Sequence, residues 1–296
     1  MAFLSPLRYP GGKGKLSNFI KLLIQENDLF DVSYIEPYAG GAGIAVSLLI
    51  DGFISQIYLN DISRSIYAFW YSVINNTDEL CSLIYDTNVT INEWQRQKDF
   101  QEHRDGITLL DLGFSTFFLN RTNRSGIIRG GVIGGKNQKG PHKLDARYNK
   151  VELIARIQRI ARFKNRIHLF NLDTADFFIH ELPKVPEDSL LYLDPPYYLK
   201  QKELYENHYN QNDHLYIANM VKKIPHHWII SYNYNEDIIQ LYRNYKYLSY
   251  SLNYCAGNRV KGSEIMFFSD KINIPFVESP IKITKRRIIG NIPIHT

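Results

Sequence analysis

Short apolar runs along the chain alternate with stretches whose apolar residues recur at helical spacing, the pattern of strands and helices taking turns. The runs Val32 to Ile35, Gln56 to Leu59, Arg166 to Phe170, Ser189 to Leu193, His227 to Ser231, Tyr245 to Tyr250 and Glu264 to Ser269 predict seven strands. Between them, Ile44 to Ile50 and the set Ile66, Phe69, Trp70 and Val73 predict helices, with Ser63 placed to cap the second. Residues 78 to 120 read as mainly helical, and Val151, Ile154, Ile157, Ile160 and Ala161 predict one more helix. Strands alternating with helices imply an α/β fold on a doubly wound sheet. The stretch 64–165 breaks the alternation and predicts an inserted, mainly helical domain, with the core divided into 1–63 and 166–274 and a basic tail at 275–296. The tail has no clear period, and a loosely docked strand or a basic extension is expected there.

Two segments at strand ends carry candidate chemistry. The first strand runs into Glu36-Pro37-Tyr38-Ala39-Gly40-Gly41-Ala42-Gly43, and the strand, glycine loop and helix together open a nucleotide-binding βαβ unit. Asp61, at the end of the second strand, stands where an acid accepts hydrogen bonds from ribose hydroxyls. An ordinary dinucleotide fold would share these features. Glu36, however, puts negative charge where a pyrophosphate would be repelled, and a cationic cofactor suits the loop better. The second segment is Asp194-Pro195-Pro196-Tyr197, closing the apolar run Leu190 to Leu193. Proline donates no N–H and pushes its predecessor to extended geometry, so Asp194 and the Pro195 carbonyl face outward as acceptors beside an aromatic ring. That is a clamp for an amino group on a flat ring.

Charge changes the picture in one place. The 296 residues hold 35 Lys plus Arg against 30 Asp plus Glu, net +5. Residues 121 to 150 carry Arg121, Arg124, Arg129, Lys136, Lys139, Lys143, Arg147 and Lys150 against the single acid Asp145, which leaves the remainder of the chain net negative. The same stretch is broken by Gly126, Gly130, Gly131, Gly134, Gly135 and Gly140 and loses apolar periodicity, which predicts a mobile loop or hairpin. With Asn123, Asn137, Gln138 and Asn149 it offers the mixture that neutralises phosphates and reads base edges. The two cysteines, Cys81 and Cys255, lie far apart and fit a reducing cytoplasm. The nine histidines show no metal-ligand spacing, His226-His227 reads as a strand entrance, and no metal is expected. Without a signal-like start or a run near the ~20 apolar residues of a membrane span, the protein is expected to be soluble, cytoplasmic and free of membrane.

In these pieces the chain resembles the Dam-type N6-adenine-specific DNA methyltransferases. The resemblance rests on Ser5-Pro6-Leu7-Arg8-Tyr9-Pro10-Gly11-Gly12-Lys13, the Glu36 to Gly43 loop, Leu59-Asn60-Asp61-Ile62, Phe118-Leu119-Asn120-Arg121 and Asp194-Pro195-Pro196-Tyr197, in that order. It implies a seven-stranded S-adenosylmethionine-dependent methyltransferase sheet in which 64–165 is a target-recognition domain. It also implies S-adenosylmethionine as methyl donor, held by Tyr9, Lys13, Glu36, Gly41, Gly43, Asp61 and Asp194. Catalysis falls to Asp194, Pro195, Pro196 and Tyr197, acting on an adenine flipped out of double-stranded DNA. Arg121, Asn123, Arg124, Ser125, Arg129, Lys136 and Lys139 are the expected DNA contacts. Where Dam relatives carry a Gly-x-Phe-Asn-type segment, this chain reads Gly130-Gly131-Val132-Ile133-Gly134-Gly135, a departure that speaks against GATC as the site. The resemblance also allows a cognate restriction endonuclease as partner and a monomeric enzyme. The same clamp suits cytosine N4 or an RNA base, and a non-catalytic DNA-binding module of the same fold is the reading from another class.

Overall fold

The computed structural model describes residues 4–8, 13–196, 209–254 and 260–288. All seven expected runs are strands of one sheet: β1 Ser33–Glu36, β2 Gln56–Asn60, β3 Ile167–Phe170, β4 Leu190–Leu193, β5 His227–Asn233, β6 Tyr247–Tyr254 and β7 Val260–Phe268. Their order is β3-β2-β1-β4-β5-β7-β6. Neighbours from β3 to β5 pair in parallel, while β7 runs antiparallel to both β5 and β6. The last two strands extend further than their apolar runs, since a hairpin that outgrows the sheet needs no apolar residues at its far end.

Eleven α-helices are described: α1 Ser17–Glu26, α2 Gly43–Ile50, α3 Arg64–Asn75, α4 Thr77–Asp86, α5 Ile91–Glu102, α6 Leu109–Thr122, α7 Lys150–Ala161, α8 Thr174–His180, α9 Gln211–Val221, α10 Glu236–Leu241 and the short α11 Lys285–Ile288. None is long and apolar enough to cross a membrane. Alternate residues of each strand point to opposite faces, so the central strands split between two cores. Tyr34, Leu190, Ile229, Met266 and Phe268 join Phe19, Leu23 and Val46 of α1 and α2 on one side. Ile35, Leu191, Ile230, Ile265 and Phe267 join Phe177, Ile217 and Ile238 of α8, α9 and α10 on the other. Cover on both faces is why these strands read as unbroken apolar runs.

Helices α3 to α7 fill the stretch between β2 and β3, as the broken alternation predicts. The apolar residues of this stretch, among them Phe69, Trp70, Phe117 and Phe118 on the helices and Tyr148 before α7, belong to the same cluster as the sheet's first face. Gly113 lets α6 approach α3 closely, since a Cβ there would stand 2.5 Å from the Ala68 carbonyl oxygen and 2.4 Å from Ser72 Oγ. Ser63 occupies the cap position of α3, but its side chain makes no capping hydrogen bond. The described part of the tail is not a strand. It crosses α1 as a turn and a short helix, with Ile283 and Ile288 buried and Asn18 Nδ2 donating to the Ile283 carbonyl at 2.8 Å.

Candidate active site

The sheet changes winding direction between β1 and β4, and ligands of such sheets bind in the crevice beyond the carboxyl ends of the strands at that point. Glu36 ends β1 and Asp194 follows β4, so the two segments singled out by sequence flank this crevice. By strand alternation, Glu36, Asp194, Ser231 of β5 and Glu264 of β7 lie on the α1 and α2 face of the sheet.

Asp194 is held from behind. Its Oδ1 accepts from Ser231 Oγ at 2.9 Å, and the buried Tyr192 hydroxyl stands 3.0 Å from that same serine oxygen. Since Ser231 gives its proton to Asp194, Tyr192 donates to Ser231. Burial and the Asp194 charge keep the Tyr192 phenol protonated, its pKa raised well above the ordinary value. Lys13 Nζ stands 3.0 Å from the same Asp194 oxygen and 3.3 Å from Glu264 Oε2. The Lys13 and Glu264 side chains are 4% and 0% exposed, against 28% for Asp194. Asp194 is therefore the member of the group that faces the crevice.

The glycine loop is fixed by four elements. Gly40 N–H donates to Asp61 Oδ2 at 2.8 Å, and Ser63 N–H to Asp61 Oδ1 at 2.9 Å. Trp70 Nε1 donates to the Gly40 carbonyl at 2.9 Å, and Ser5 Oγ to that of Gly41. Gly43 opens α2 and packs toward Gly14. Glu36 is buried at the start of that helix, where Oε1 accepts from Ala45 N–H at 3.1 Å. Burial, with the Asp194 charge acting the same way, raises its carboxyl to about 8, although the bonds from Ala45 and Tyr34 pull it back.

A family model for D12 class N6 adenine-specific DNA methyltransferases matches residues 9–254. The chain belongs to that family. It is also similar to the Type II methyltransferase M.MjaIII of Methanocaldococcus jannaschii, 23% identical over 279 residues that cover 86% of this chain and 94% of the relative. Among solved structures it is similar to a Pyrococcus horikoshii protein given as an RNA methyltransferase, with TM-score 0.40, 8% identity and coverage of 86% of this chain and 83% of that one. An rRNA methylase of Streptococcus thermophilus gives TM-score 0.35 at 8% identity, covering 86% and 93%. Neither structural likeness is close enough to bear on substrate. Family membership makes the protein an adenine DNA methyltransferase.

In this D12 methyltransferase the charge expected on Glu36 is corrected: at neutral pH the buried carboxyl keeps its proton. The raised value has a consequence for stability. The unfolded chain loses this proton near 4.5 and the native state only near 8, so the native state binds more protons in between and stability falls as pH rises through that window. Glu36→Gln keeps an acceptor for Ala45 N–H and removes the titration. In denaturant melts the variant is expected to match the wild type near pH 4 and to exceed it by a few kcal/mol above pH 8. A difference that does not change with pH would show that Glu36 ionises in the fold without penalty.

The expected DNA contacts divide. Arg124, Arg129, Lys136 and Lys139 are exposed on the Gly-rich loop, and Ser125 is half-buried with φ 56°. Arg121 and Asn123 are corrections, because both lie inside the fold. The Arg121 guanidinium donates to the Pro6 carbonyl, and burial, with Arg156 and Arg8 nearby, lowers its pKa to about 9. Asn123 is 0% exposed, accepts from Trp94 Nε1 at 2.6 Å and donates to the Ile127 and Ile128 carbonyls. Two further amides offered to base edges also serve the protein itself. Gln138 bonds Ile133, Gly135 and Leu144 and so ties down a loop expected to be mobile, while Asn149 caps α7. Tyr9 and Tyr197, like Cys255, lie outside the described residues.

Sequence reasoning missed Ser231, Tyr192 and Glu264, and quoted Asn120 only within a motif, without a role. Glu264 had a faint signal, since it shares strand parity with Met266 and Phe268 and a charge in register with core residues is rarely solvent-facing. Asn120 explains the Phe118 to Arg121 segment. Its Oδ1 accepts from Arg8 N–H at 2.7 Å and its Nδ2 donates to the Arg8 and Gly126 carbonyls at 2.6 and 2.8 Å. Gly126, at φ +79°, leaves room for Arg8, whose carbonyl oxygen would stand 2.4 Å from a Cβ. The end of α6 thus grips the segment that leads to Lys13.

Proposed function

We propose that this D12 methyltransferase takes its methyl group from S-adenosylmethionine and delivers it to an adenine extruded from double-stranded DNA. The observation that carries the reading is the Asp194 carboxylate, half-buried at the crevice and anchored by Ser231 and Lys13. The donor set around the crevice fits that cofactor. Asp61 and Asp194 are acceptors that suit ribose hydroxyls and a cationic ligand, and a phosphate-bearing dinucleotide would meet no such match. When bound, S-adenosylmethionine supplies an electrophilic methyl group on a sulfonium that departs as a neutral thioether.

The chain's own residues then orient and exclude. Lys13 and Glu36 border the cofactor side, and Asp61 takes the ribose. Asp194 and the Pro195 carbonyl accept from the two N6 hydrogens, which aims the nitrogen lone pair at the methyl carbon. Pro196 holds the turn rigid, and Tyr197 stacks on the extruded base and offsets part of the few kcal/mol lost on unstacking. As the new N–C bond forms, N6 gives up one proton past Asp194 to solvent. Because the methyl is already activated, most of the acceleration comes from holding the reactants in line.

Incubation with methyl-labelled cofactor and unmodified DNA, followed by nucleoside analysis, tests this directly. N6-methyldeoxyadenosine is expected. N4-methyldeoxycytidine, or better turnover on RNA than on duplex, would redirect the reading to another base or strand.

Arg124, Arg129, Lys136 and Lys139 present the exposed positive face that a phosphate backbone needs. Arg124→Ala is expected to weaken DNA binding several-fold and to lower the slope of log affinity against log salt by about one, with the melting temperature unchanged. Titrations at several salt concentrations measure both. An unaltered slope and affinity would take Arg124 out of the interface.

A further inference from the structure

The ladder between β2 and β3 runs out at Asp61, whose N–H donates to the Phe170 carbonyl at 3.3 Å. Beyond that rung two asparagine side chains take over. Asn60, 0% exposed, accepts from the Leu172 N–H at 3.0 Å through Oδ1 and donates through Nδ2 to the Leu172 carbonyl at 3.1 Å and the Pro37 carbonyl at 3.2 Å. Its amide stands in for a peptide group and adds one rung to the ladder. Asn171, exposed just after β3, donates through Nδ2 to the Asp61 and Ile62 carbonyls at 2.7 and 3.1 Å. Each strand end is thus tied to the backbone of the other, and the ties flank Asp61 on both sides.

Resting on the S-adenosylmethionine reading above, we propose that Asn60 and Asn171 are positioning residues for the methyl donor, a clasp that fixes where Asp61 presents its oxygens to the ribose. Asp61 is half-buried and accepts from Gly40 and Ser63 as well, so ribose hydroxyls meet it within a set hydrogen-bond frame. Hydrogen bonds weaken steeply as their angles close, and a shifted carboxyl would hold those hydroxyls poorly. Asn60 carries the same control to the glycine loop. Its bond to Pro37, with that from the Ala39 N–H to the Asn60 carbonyl at 2.9 Å, joins the end of β1 to the end of β2. Among side chains of this size, only an amide donates twice and accepts at once.

Equilibrium binding of S-adenosylhomocysteine, which has no methyl group to transfer, reads the clasp apart from the reaction. Asn171→Ala is expected to weaken binding about fivefold with the melting temperature little changed, and Asn60→Asp, equal in size but without the donors, to weaken it about tenfold. KM for S-adenosylmethionine should rise by the same factors, while kcat at saturating donor stays within about twofold of wild type, because neither residue reaches the reacting atoms. A merely structural role would lower the melting temperature or the number of binding sites and leave the affinity of the remaining sites as it was. In an Asp61→Ala background, Asn171→Ala is expected to cost less than about twofold, since the residue it aims is gone.

An Asn171→Ala protein with wild-type affinity for S-adenosylhomocysteine would overturn the proposal, and so would one whose loss is the same with and without Asp61. Because Asn171 is exposed, its variant decides the matter even should Asn60→Asp fail to fold. Wild-type protein that binds neither ligand would overturn the donor reading itself, a different failure from a wild type that binds and an Asn171 variant that binds equally well.

Discussion

Asp194→Ala is expected to reduce methyl transfer by about a thousandfold, the scale on which removal of one preorganised polar partner acts in a reaction centre. On the proposed mechanism the variant loses the acceptor that orients N6 and the carboxylate beside the amine as it takes the methyl group. It should remain folded. Asp194 is partly exposed, and its partners keep other contacts: Lys13 retains Glu264, and Ser231 retains Tyr192. Asp194→Asn preserves an acceptor oxygen without the charge and is expected to fall between the wild type and the alanine variant. Single-turnover rates with thermal melts on the same preparations check both points. An alanine variant as active as the wild type would remove Asp194 from the reaction.

Asn120→Ala is expected to cost about 3 kcal/mol of stability and to lower activity at least tenfold, although Asn120 touches neither proposed substrate. Three hydrogen bonds are lost in a buried place, and the Arg8 N–H, the Arg8 carbonyl and the Gly126 carbonyl are left to find water there. The loss is local in origin and wider in effect, because Asn120 makes two of the side-chain bonds that hold residues 5–8 in place among the described residues. Among the others are the bonds from Arg121 to the Pro6 carbonyl, from Arg156 to that of Ser5 at 3.1 Å, from Ser5 Oγ to Gly41 and from Arg8 Nη1 to the Asn123 carbonyl at 3.5 Å, with Leu7 buried in the core. A looser segment leaves Lys13 less well placed against Asp194. Denaturant titration measures the first effect, and limited proteolysis near the N-terminus together with turnover measures the second. Full activity with a protease-sensitive N-terminus would show that Lys13 needs no help from α6.

How much of this was legible in the sequence follows from the range of the interactions. The seven strands were legible because sheets covered on both faces demand short apolar runs, a requirement each segment meets alone. The crevice was legible for the same reason: the glycine loop after β1 and the Asp-Pro-Pro segment after β4 are local patterns, and the switch in winding direction sets them side by side. The network behind Asp194 was not. Lys13, Ser231 and Glu264 meet only after β5 and β7 have paired and the N-terminal turn has docked; the sequence marks Lys13 for the cofactor alone, Ser231 does not stand out among its chain neighbours, and Glu264 does so only faintly. The basic stretch misled in another way. Counting charge locates a positive surface but not which of its members face outward, so Arg124 and Arg129 are exposed while Arg121 and Asn123 hold the fold together.

The grip of α6 on residues 5–8 also bears on engineering. The stretch from α3 to α7 invites exchange between relatives, since it looks like a cassette with a clean start and finish. It is not one. Its longest helix, α6, carries the hook on which the core's own leading segment hangs, so a transplanted stretch lacking Asn120 and Gly126 would leave the recipient a crippled engine. Chimeras that carry those two positions across should be the ones that turn over.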